Sequence, residues 1–320
     1  MQVSPWIWLA TIAGIIGLLA FSFFVHMRKP HAPTMRESGV WTAFFVTLSL
    51  LFGACLAVLW GPDHGTEFLA GYITEYSLSV DNLFIFVLIM NSFAVPAIHQ
   101  QRVLLIGIVM ALALRTVFIL LGGAAIAHFN WMFYLFGLFL IVTAIKLACE
   151  KDDQDKPYEP NVMVRMAQKL LPFTDSYDGT RLLTSHNGRR CFTPMTMVML
   201  AIGMTDVLFA LDSIPAIYGL TDVPYIVFTA NAFALLGLIE LYFLLGGLLG
   251  RLVYLGFGLA LILGFIGIKL IIEAMHVNNI AFLNDGAPIE LVPLIPTWLS
   301  LVVIVVILAL TVIASLLKRN

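Results

Sequence analysis

Apolar runs of about 20 residues recur along the whole chain and are separated by polar stretches. A run of that length predicts a transmembrane helix, because about 20 residues at a rise of 1.5 Å each cross the hydrocarbon core of a bilayer. The runs predict nine such helices, at about residues 6–26, 41–60, 68–90, 103–127, 131–149, 194–217, 224–249, 252–274 and 297–317. The pattern therefore predicts an all-α, polytopic membrane protein.

The composition and the motif content agree with this class. Hydrophobic residues make up 61% of the 320 residues and charged residues only 11%, whereas soluble domains carry about 25% charged residues. Cys55, Cys149 and Cys191 lie far apart and predict neither a disulfide framework nor a thiolate metal site. The sequence has no Walker A, G-x-S-x-G or H-E-x-x-H motif, so we expect no enzymatic activity, no permanently bound cofactor and no nucleic-acid partner.

The distribution of lysine and arginine predicts the orientation. Fourteen of the seventeen basic residues lie after predicted helices one, three, five and seven or at the C-terminus. The other three, Arg115, Lys146 and Lys269, lie inside predicted helices. Because basic loops stay on the cytoplasmic side, we expect the N-terminus outside and the C-terminus inside the cell (inner) membrane.

One long connection, residues 150–193, separates the fifth and sixth predicted helices and carries both signs of charge. Two interpretations stay open: a solvated cytoplasmic loop, or a docking segment for a partner such as the protein-translocation machinery. Within it, residues 162–171 have helical spacing with an apolar face and predict a short helix at the membrane surface. Thr193 and Pro194 are typical of a helix start and predict the beginning of helix six.

Two acidic motifs lie inside predicted helices, where ionised side chains are costly and so rarely accidental. Glu75 and Asp81, with Asn82, form the first; Asp206 and Asp212, with Ser213, form the second, 131 positions later. Two carboxylates six positions apart on a continuous helix point about 120° away from each other. Either they serve different positions on one pathway, or the helix is unwound between them.

Predicted helices three to five resemble helices six to eight. The acidic motifs match, Phe118–Gly123 matches Tyr242–Gly247, and Lys146 matches Lys269. Two consecutive units of three helices insert in opposite directions, so an inverted 3+3 repeat is predicted, with the four acids meeting at the repeat interface. The predicted organisation is two N-terminal helices in 1–67, repeat 1 in 68–149, the cytoplasmic loop in 150–193, repeat 2 in 194–274, and a final loop and helix in 275–320.

The side chains of both motifs are hard oxygen donors, which suit Mn²⁺, Mg²⁺ or Ca²⁺. The predicted metal ligands are Glu75, Asp81, Asn82, Asp206, Asp212 and Ser213. Clustered carboxylates at low dielectric also bind protons, so exchange of a metal ion for protons is a natural hypothesis.

The remaining intramembrane charges are candidate charge partners or coupling groups. Arg115 lies in mid-helix and is expected to pair electrostatically with the acids. Lys146 and Lys269 lie near helix ends, where a packing or interfacial role is favoured. Glu240 has no acidic counterpart in the first repeat, and both a pathway role and a pairing role stay open.

The two motifs, Glu75-Tyr-Ser-Leu-Ser-Val-Asp-Asn and Asp206-Val-Leu-Phe-Ala-Leu-Asp-Ser, closely resemble those of the TerC family, including its Alx-type members, within the LysE-like transporters. The resemblance implies export of divalent metal cations, most of all Mn²⁺, through the six motif residues. The alternatives are a membrane scaffold that metallates or assists exported proteins, or tellurium resistance without direct Mn²⁺ transport. One departure stands out: the family pattern leads us to expect an arginine near Ile239, where this chain has none.

Overall fold

A computed structural model of the chain describes residues 3–27, 34–129, 131–149, 174, 179, 181–186, 189–245, 254–278, 284, 288–289 and 293–318. Within these residues the chain forms ten helices and one small hairpin. The helices are α1 Pro5–Met27, α2 Met35–Trp60, α3 Pro62–Ser92, α4 Ala97–His128, α5 Met132–Cys149, α6 Pro194–Tyr218, α7 Pro224–Leu236, α8 Leu238–Leu245, α9 Leu255–His276 and α10 Thr297–Leu317.

Nine helical segments of the described chain are long and apolar enough to cross a membrane, when α7 and α8 are counted as one span that is interrupted at Gly237. The predicted all-α architecture with nine spans is thus confirmed for these residues. Large apolar side chains such as Trp6, Val58 and Leu310 remain exposed on the outer helices, as expected for surfaces that face lipid. The protein is a multi-pass integral membrane protein; the inverted repeat and the orientation stay predictions.

Helices α2, α3 and α4 begin about six residues before their predicted positions. Their first turns are polar and therefore do not belong to the apolar runs from which the helices were predicted. Thr34 precedes α2 and its hydroxyl accepts a hydrogen bond from the Glu37 N–H at 3.3 Å, which caps the helix. Pro62 occupies the first turn of α3, directly after Gly61, whose φ of 110° makes the tight turn from α2.

Helices α3 and α6 continue through both acidic motifs without a break. The alternative in which these helices are unwound between their carboxylates is therefore wrong. The interruption falls instead at Gly237, inside the predicted seventh helix.

A two-stranded antiparallel hairpin precedes α6 and was not predicted. It pairs β1, Leu183–His186, with β2, Arg189–Phe192. Thr193 begins α6 as predicted, but its hydroxyl donates to the Arg181 carbonyl at 2.6 Å and not to the helix backbone. The predicted surface helix at 162–171 lies outside the described residues.

Burial increases from the periphery of the bundle to the α7–α8 span. Within an apolar 18-residue stretch of that span 94% of residues are buried, against 62% in such a stretch of α3 and 61% in α6. The corresponding values for α1, α2, α5 and α10 lie between 11% and 22%. The two helices that carry the acidic motifs therefore lie deep in the bundle, next to the central span.

Helices α5 and α9 meet at two glycines. A Cβ atom on Gly137 would lie 2.8 Å from the carbonyl oxygen of Gly267, and a Cβ atom on Gly267 would lie 2.9 Å from the carbonyl oxygen of Gly137. Small residues allow membrane helices to approach closely enough for backbone contact. The third helices of the two predicted repeats are joined at this point.

We expect Gly137→Ala to force α5 and α9 apart and to lower the stability of the purified protein by about 1–3 kcal/mol, the usual effect of overpacking. The measurement is the melting temperature in detergent, read as the loss of the monodisperse peak in size-exclusion chromatography.

Gly264→Ala is the matched control on α9. A Cβ atom there meets only Ala144 Cβ at 3.6 Å, an ordinary contact, and the substitution gains the same helix propensity. Equal melting temperatures for the two variants would contradict the proposed backbone contact.

Candidate functional site

Arg115 lies on α4 at the centre of a buried polar cluster. Its Nη1 forms an ion pair with the Glu75 carboxylate of α3. On the other side, Nη2 and Nε donate to the two carboxylate oxygens of Asp206 on α6, at 3.0 and 3.4 Å. Nη1 also donates to Ser213 Oγ at 3.4 Å. We call these four residues the Arg115 cluster; it links α3, α4 and α6.

The Arg115 cluster is shielded from solvent and carries excess negative charge. Arg115 and Glu75 are 0% exposed, Ser213 is 1% exposed and Asp206 is 3% exposed. Two carboxylates share one guanidinium, so the cluster has a charge of −1 when all three groups are ionised. An uncompensated charge is costly at low dielectric. The cluster can therefore accommodate a proton or an additional cation, which a balanced structural ion pair would not need.

Buried polar atoms without a hydrogen-bond partner in the described structure occur on α3 and α7. They include Glu75 Oε2, Thr74 Oγ1 and Ser79 Oγ on α3, and both side-chain amide atoms of Asn231 on α7. Most buried polar groups in proteins are satisfied, so such a concentration is unusual. A ligand with polar or charged groups can therefore bind to these atoms.

A second site, the Asp212 cavity, has a volume of about 270 Å³. Asp212 Oδ1 accepts a hydrogen bond from Thr143 Oγ1 of α5 at 3.3 Å. Asn82 of α3 and Lys146 of α5 line the same space. The cavity thus combines a carboxylate, an amide and a hydroxyl, all oxygen donors, with one ammonium group, and leucine, isoleucine and phenylalanine side chains complete its wall.

A third site, the Lys269 cavity, lies where α3 begins and α6 and α9 end, with a volume of about 260 Å³. Glu67, Asp222 and Glu273 line it together with Lys269, which is 7% exposed. Glu67 Oε2 accepts a hydrogen bond from Thr221 Oγ1 at 2.7 Å.

The surroundings of the Lys269 cavity raise the pKa of the Asp222 carboxyl. The Asp222 side chain is open to solvent, but surrounding protein atoms remove part of its hydration and raise its pKa above the ordinary value. The Lys269 ammonium opposes this rise and the Glu67 carboxylate adds to it.

The structure places the predicted metal ligands in separate sites. The Arg115 cluster takes Glu75 from the first motif and Asp206 and Ser213 from the second, whereas Asn82 and Asp212 line the Asp212 cavity. Asp206 and Asp212 therefore serve different places and not one four-acid centre, because the two residues point to different sides of the continuous helix α6.

The other predicted residues also divide among the sites. Asp81 lies on α3, and its side chain falls outside the described part of the structure. Lys146 lines the Asp212 cavity, Lys269 its own cavity, and Glu240 is fully buried on α8. Among the described side chains, no three histidine, cysteine, aspartate or glutamate residues converge as metal ligands.

The sequence analysis missed four polar residues of these cavities and one buried amide. Glu67, Asp222 and Glu273 line the Lys269 cavity from helix termini or a loop, and Thr143 lines the Asp212 cavity from within an apolar span. The buried amide is Asn231 of α7. Asn231 had a usable signal, since a lone amide in the middle of an apolar run is rarely accidental. The three acids had none, because only the tertiary fold brings them to one cavity.

Comparison with known proteins finds one family that covers most of the chain. The family described as integral membrane protein TerC family matches residues 60–320. No solved structure is significantly similar to the chain.

Individual relatives extend the match to nearly the full length. The uncharacterized membrane protein Rv2723 of Mycobacterium tuberculosis is 48% identical over 318 residues, covering 98% of this chain and 80% of its own. The uncharacterized membrane protein STKORF319 of Myxococcus xanthus is 41% identical over 317 residues, covering 99% and 94%. The putative membrane-bound redox modulator Alx of Escherichia coli K12 is 37% identical over 290 residues, covering 86% and 88%.

We expect Arg115→Gln to destabilise the metal-free protein by about 3–5 kcal/mol, because it removes the one cation between two buried carboxylates. Adding Glu75→Gln to this variant should recover part of the loss, since one of the two repelling charges is then neutral. The measurement is the melting temperature of the purified proteins in metal-free buffer.

Arg36→Gln is the control, because Arg36 lies exposed in the first turn of α2. It removes the same charge and should leave the melting temperature unchanged. An Arg115→Gln variant as stable as the unmodified protein would show that the cluster is not held by this ion pair.

Proposed function

Because the chain belongs to the TerC family of integral membrane proteins, we propose that it exports a divalent metal cation, with Mn²⁺ as the substrate, by proton-coupled antiport through its intramembrane carboxylates. The protein acts as a transporter of the cell membrane and not as an enzyme, and its partners are the metal ion, protons and the lipid bilayer.

One observation carries this proposal: the buried excess of negative charge in the Arg115 cluster. Glu75 and Asp206 lie on α3 and α6, at positions that match in the predicted repeat, and they share one guanidinium. A structural ion pair is most stable when its charges balance. A cluster that must also bind and release a cation needs the unbalanced carboxylate that this arrangement provides.

The chemical types of the available ligand atoms support a hard divalent cation as the substrate. The Arg115 cluster offers the carboxylate oxygens of Glu75 and Asp206, and the Asp212 cavity offers a carboxylate, the Asn82 amide and the Thr143 hydroxyl. Mn²⁺, Mg²⁺ and Ca²⁺ prefer such ligands, whereas soft metals prefer thiolates and thioethers. The presence of carboxylates in two separate sites fits a pathway in which the ion moves between positions.

The energetics require a coupling ion. Moving a divalent cation outward against an inside-negative potential costs about 4.6 kcal/mol per 100 mV, at about 2.3 kcal/mol per charge. Carboxylates that lose metal ions can take up protons in exchange, because both ligands compete for the same oxygen atoms. Under the predicted orientation, the Lys269 cavity faces the outside, where metal leaves and protons enter.

We expect the chain to lower intracellular manganese in Mn²⁺-loaded cells that lack other exporters. Asp206→Asn and the double variant Asp81→Asn, Asp212→Asn should abolish this effect, since each removes carboxylates from the proposed path. Asp63→Asn, which alters an exposed carboxylate at the start of α3, should behave like the unmodified chain. Elemental analysis of the cells gives the readout, with equal membrane levels of all variants as a condition.

The outcomes separate the transporter from its rivals. If the acid variants still lower manganese but replacement of residues 150–193 abolishes the effect, the chain is a scaffold that works through a partner such as the translocation machinery. If the unmodified chain has no effect on manganese but protects cells from tellurite, the tellurium-resistance interpretation stands. An oxyanion fits poorly with a cluster of net negative charge.

Proton coupling makes a separate prediction in everted membrane vesicles. Mn²⁺ uptake into vesicles that contain the chain should depend on an acidic lumen and should fall to the level of empty vesicles when a protonophore collapses the gradient. Steady uptake that persists without the gradient would contradict proton antiport while leaving metal transport intact.

A further inference from the structure

We propose that Arg115 is a built-in competitor of the transported cation: its guanidinium holds Glu75 and Asp206 when no metal is bound, and a divalent cation binds both carboxylates only after displacing it. The inference rests on the proposed function, because it assigns the metal-free state of the same site.

Geometry is the first argument. Three nitrogen atoms of one guanidinium contact carboxylates of two different helices, so the group fills the space between Glu75 and Asp206. A metal ion bound by both carboxylates would have to lie in that same space, because its oxygen ligands lie about 2.0–2.6 Å away. The guanidinium and the metal ion therefore exclude each other.

Charge is the second argument. The cluster has a charge of −1 with Arg115 in place. The two carboxylates together with a divalent cation would have a charge of 0 once the guanidinium has moved off them, whereas two carboxylates that contacted both cations would form a group of charge +1. Because net charge in a buried site is unfavourable, displacement is favoured over joint occupancy.

Ser213 gives the displaced side chain a partner. Its hydroxyl already accepts a hydrogen bond from Arg115 Nη1 and is 1% exposed. This hydrogen bond to a neutral hydroxyl does not involve the carboxylates. The guanidinium can therefore keep it when the carboxylates bind the metal ion. Ser213 is thus a positioning residue for Arg115, which separates it from the metal ligands predicted from the motif.

The predicted repeat supplies the third argument. Ile239 matches Arg115 in the second unit and is a buried apolar residue, 3% exposed. The second unit therefore brings no guanidinium at the matching position. Arg115 is the guanidinium that contacts both carboxylates, so its displacement frees both ligands.

The experiment measures Mn²⁺ binding to purified full-length protein by equilibrium dialysis with elemental detection. The comparison is between Glu75→Gln and the double variant Glu75→Gln, Arg115→Gln, which differ only in the competitor and both keep Asp206. We expect the double variant to bind Mn²⁺ about 10- to 100-fold more tightly. This is the gain in affinity when a competing state, here the one in which Arg115 is paired, holds about 90–99% of the population and is removed.

Thermal shift gives a readout that a purely structural arginine would not move. Mn²⁺ should raise the melting temperature of Arg115→Gln more than that of the unmodified protein, because the ion replaces the lost charge between the carboxylates. Arg115→Lys keeps the positive charge near the carboxylates, so its thermal shift should be smaller than that of Arg115→Gln. Arg36→Gln controls for a general change in charge and should leave both affinity and thermal shift unchanged.

Two results would overturn the inference: weaker or equal Mn²⁺ binding by the double variant relative to Glu75→Gln, or a smaller thermal shift for Arg115→Gln than for the unmodified protein. Failure of the proposed function looks different. In that case the unmodified protein and Asp206→Asn bind Mn²⁺ equally, and no variant of Arg115 changes the binding.

Discussion

The structure depends on one buried interaction, the guanidinium of Arg115 between the carboxylates of Glu75 and Asp206. In the interior of a membrane protein such groups are too costly to leave unpaired, so the interaction fixes the relative positions of α3, α4 and α6. The charges in this interaction do not balance, because one guanidinium faces two carboxylates. The same contact that stabilises the bundle therefore leaves it open to a second cation, so the structure and the proposed transport depend on the same atoms.

The surrounding packing holds this arrangement in place. The α7–α8 span is almost fully enclosed by its neighbours, and the glycine contact between α5 and α9 brings two other helix backbones together. Tight packing of this kind resists continuous deformation. A change at the Arg115 cluster is thus expected to be transmitted as a shift between discrete arrangements of helices, which is what alternating access requires.

The sequence predicts the helices well because the bilayer imposes a length and an apolar composition on each span. It places helix starts less well, since first turns such as those at Thr34 and Pro62 are polar. The acidic motifs are found because charge is rare in apolar runs. Their partition between the Arg115 cluster and the Asp212 cavity depends on which neighbouring helix faces each side of α6, and a single sequence does not encode that directly. The gathering of Glu67, Asp222 and Glu273 around one cavity has the same origin.

The position of the metal in the protein tests the central claim most directly. Anomalous scattering at the manganese edge from crystals of the Mn²⁺-loaded protein would locate the ion. We expect a peak between the carboxylates of Glu75 and Asp206, with the Arg115 guanidinium moved away from both and still in contact with Ser213. An intact Arg115 ion pair with the peak elsewhere, or with no peak in the membrane region, would contradict it.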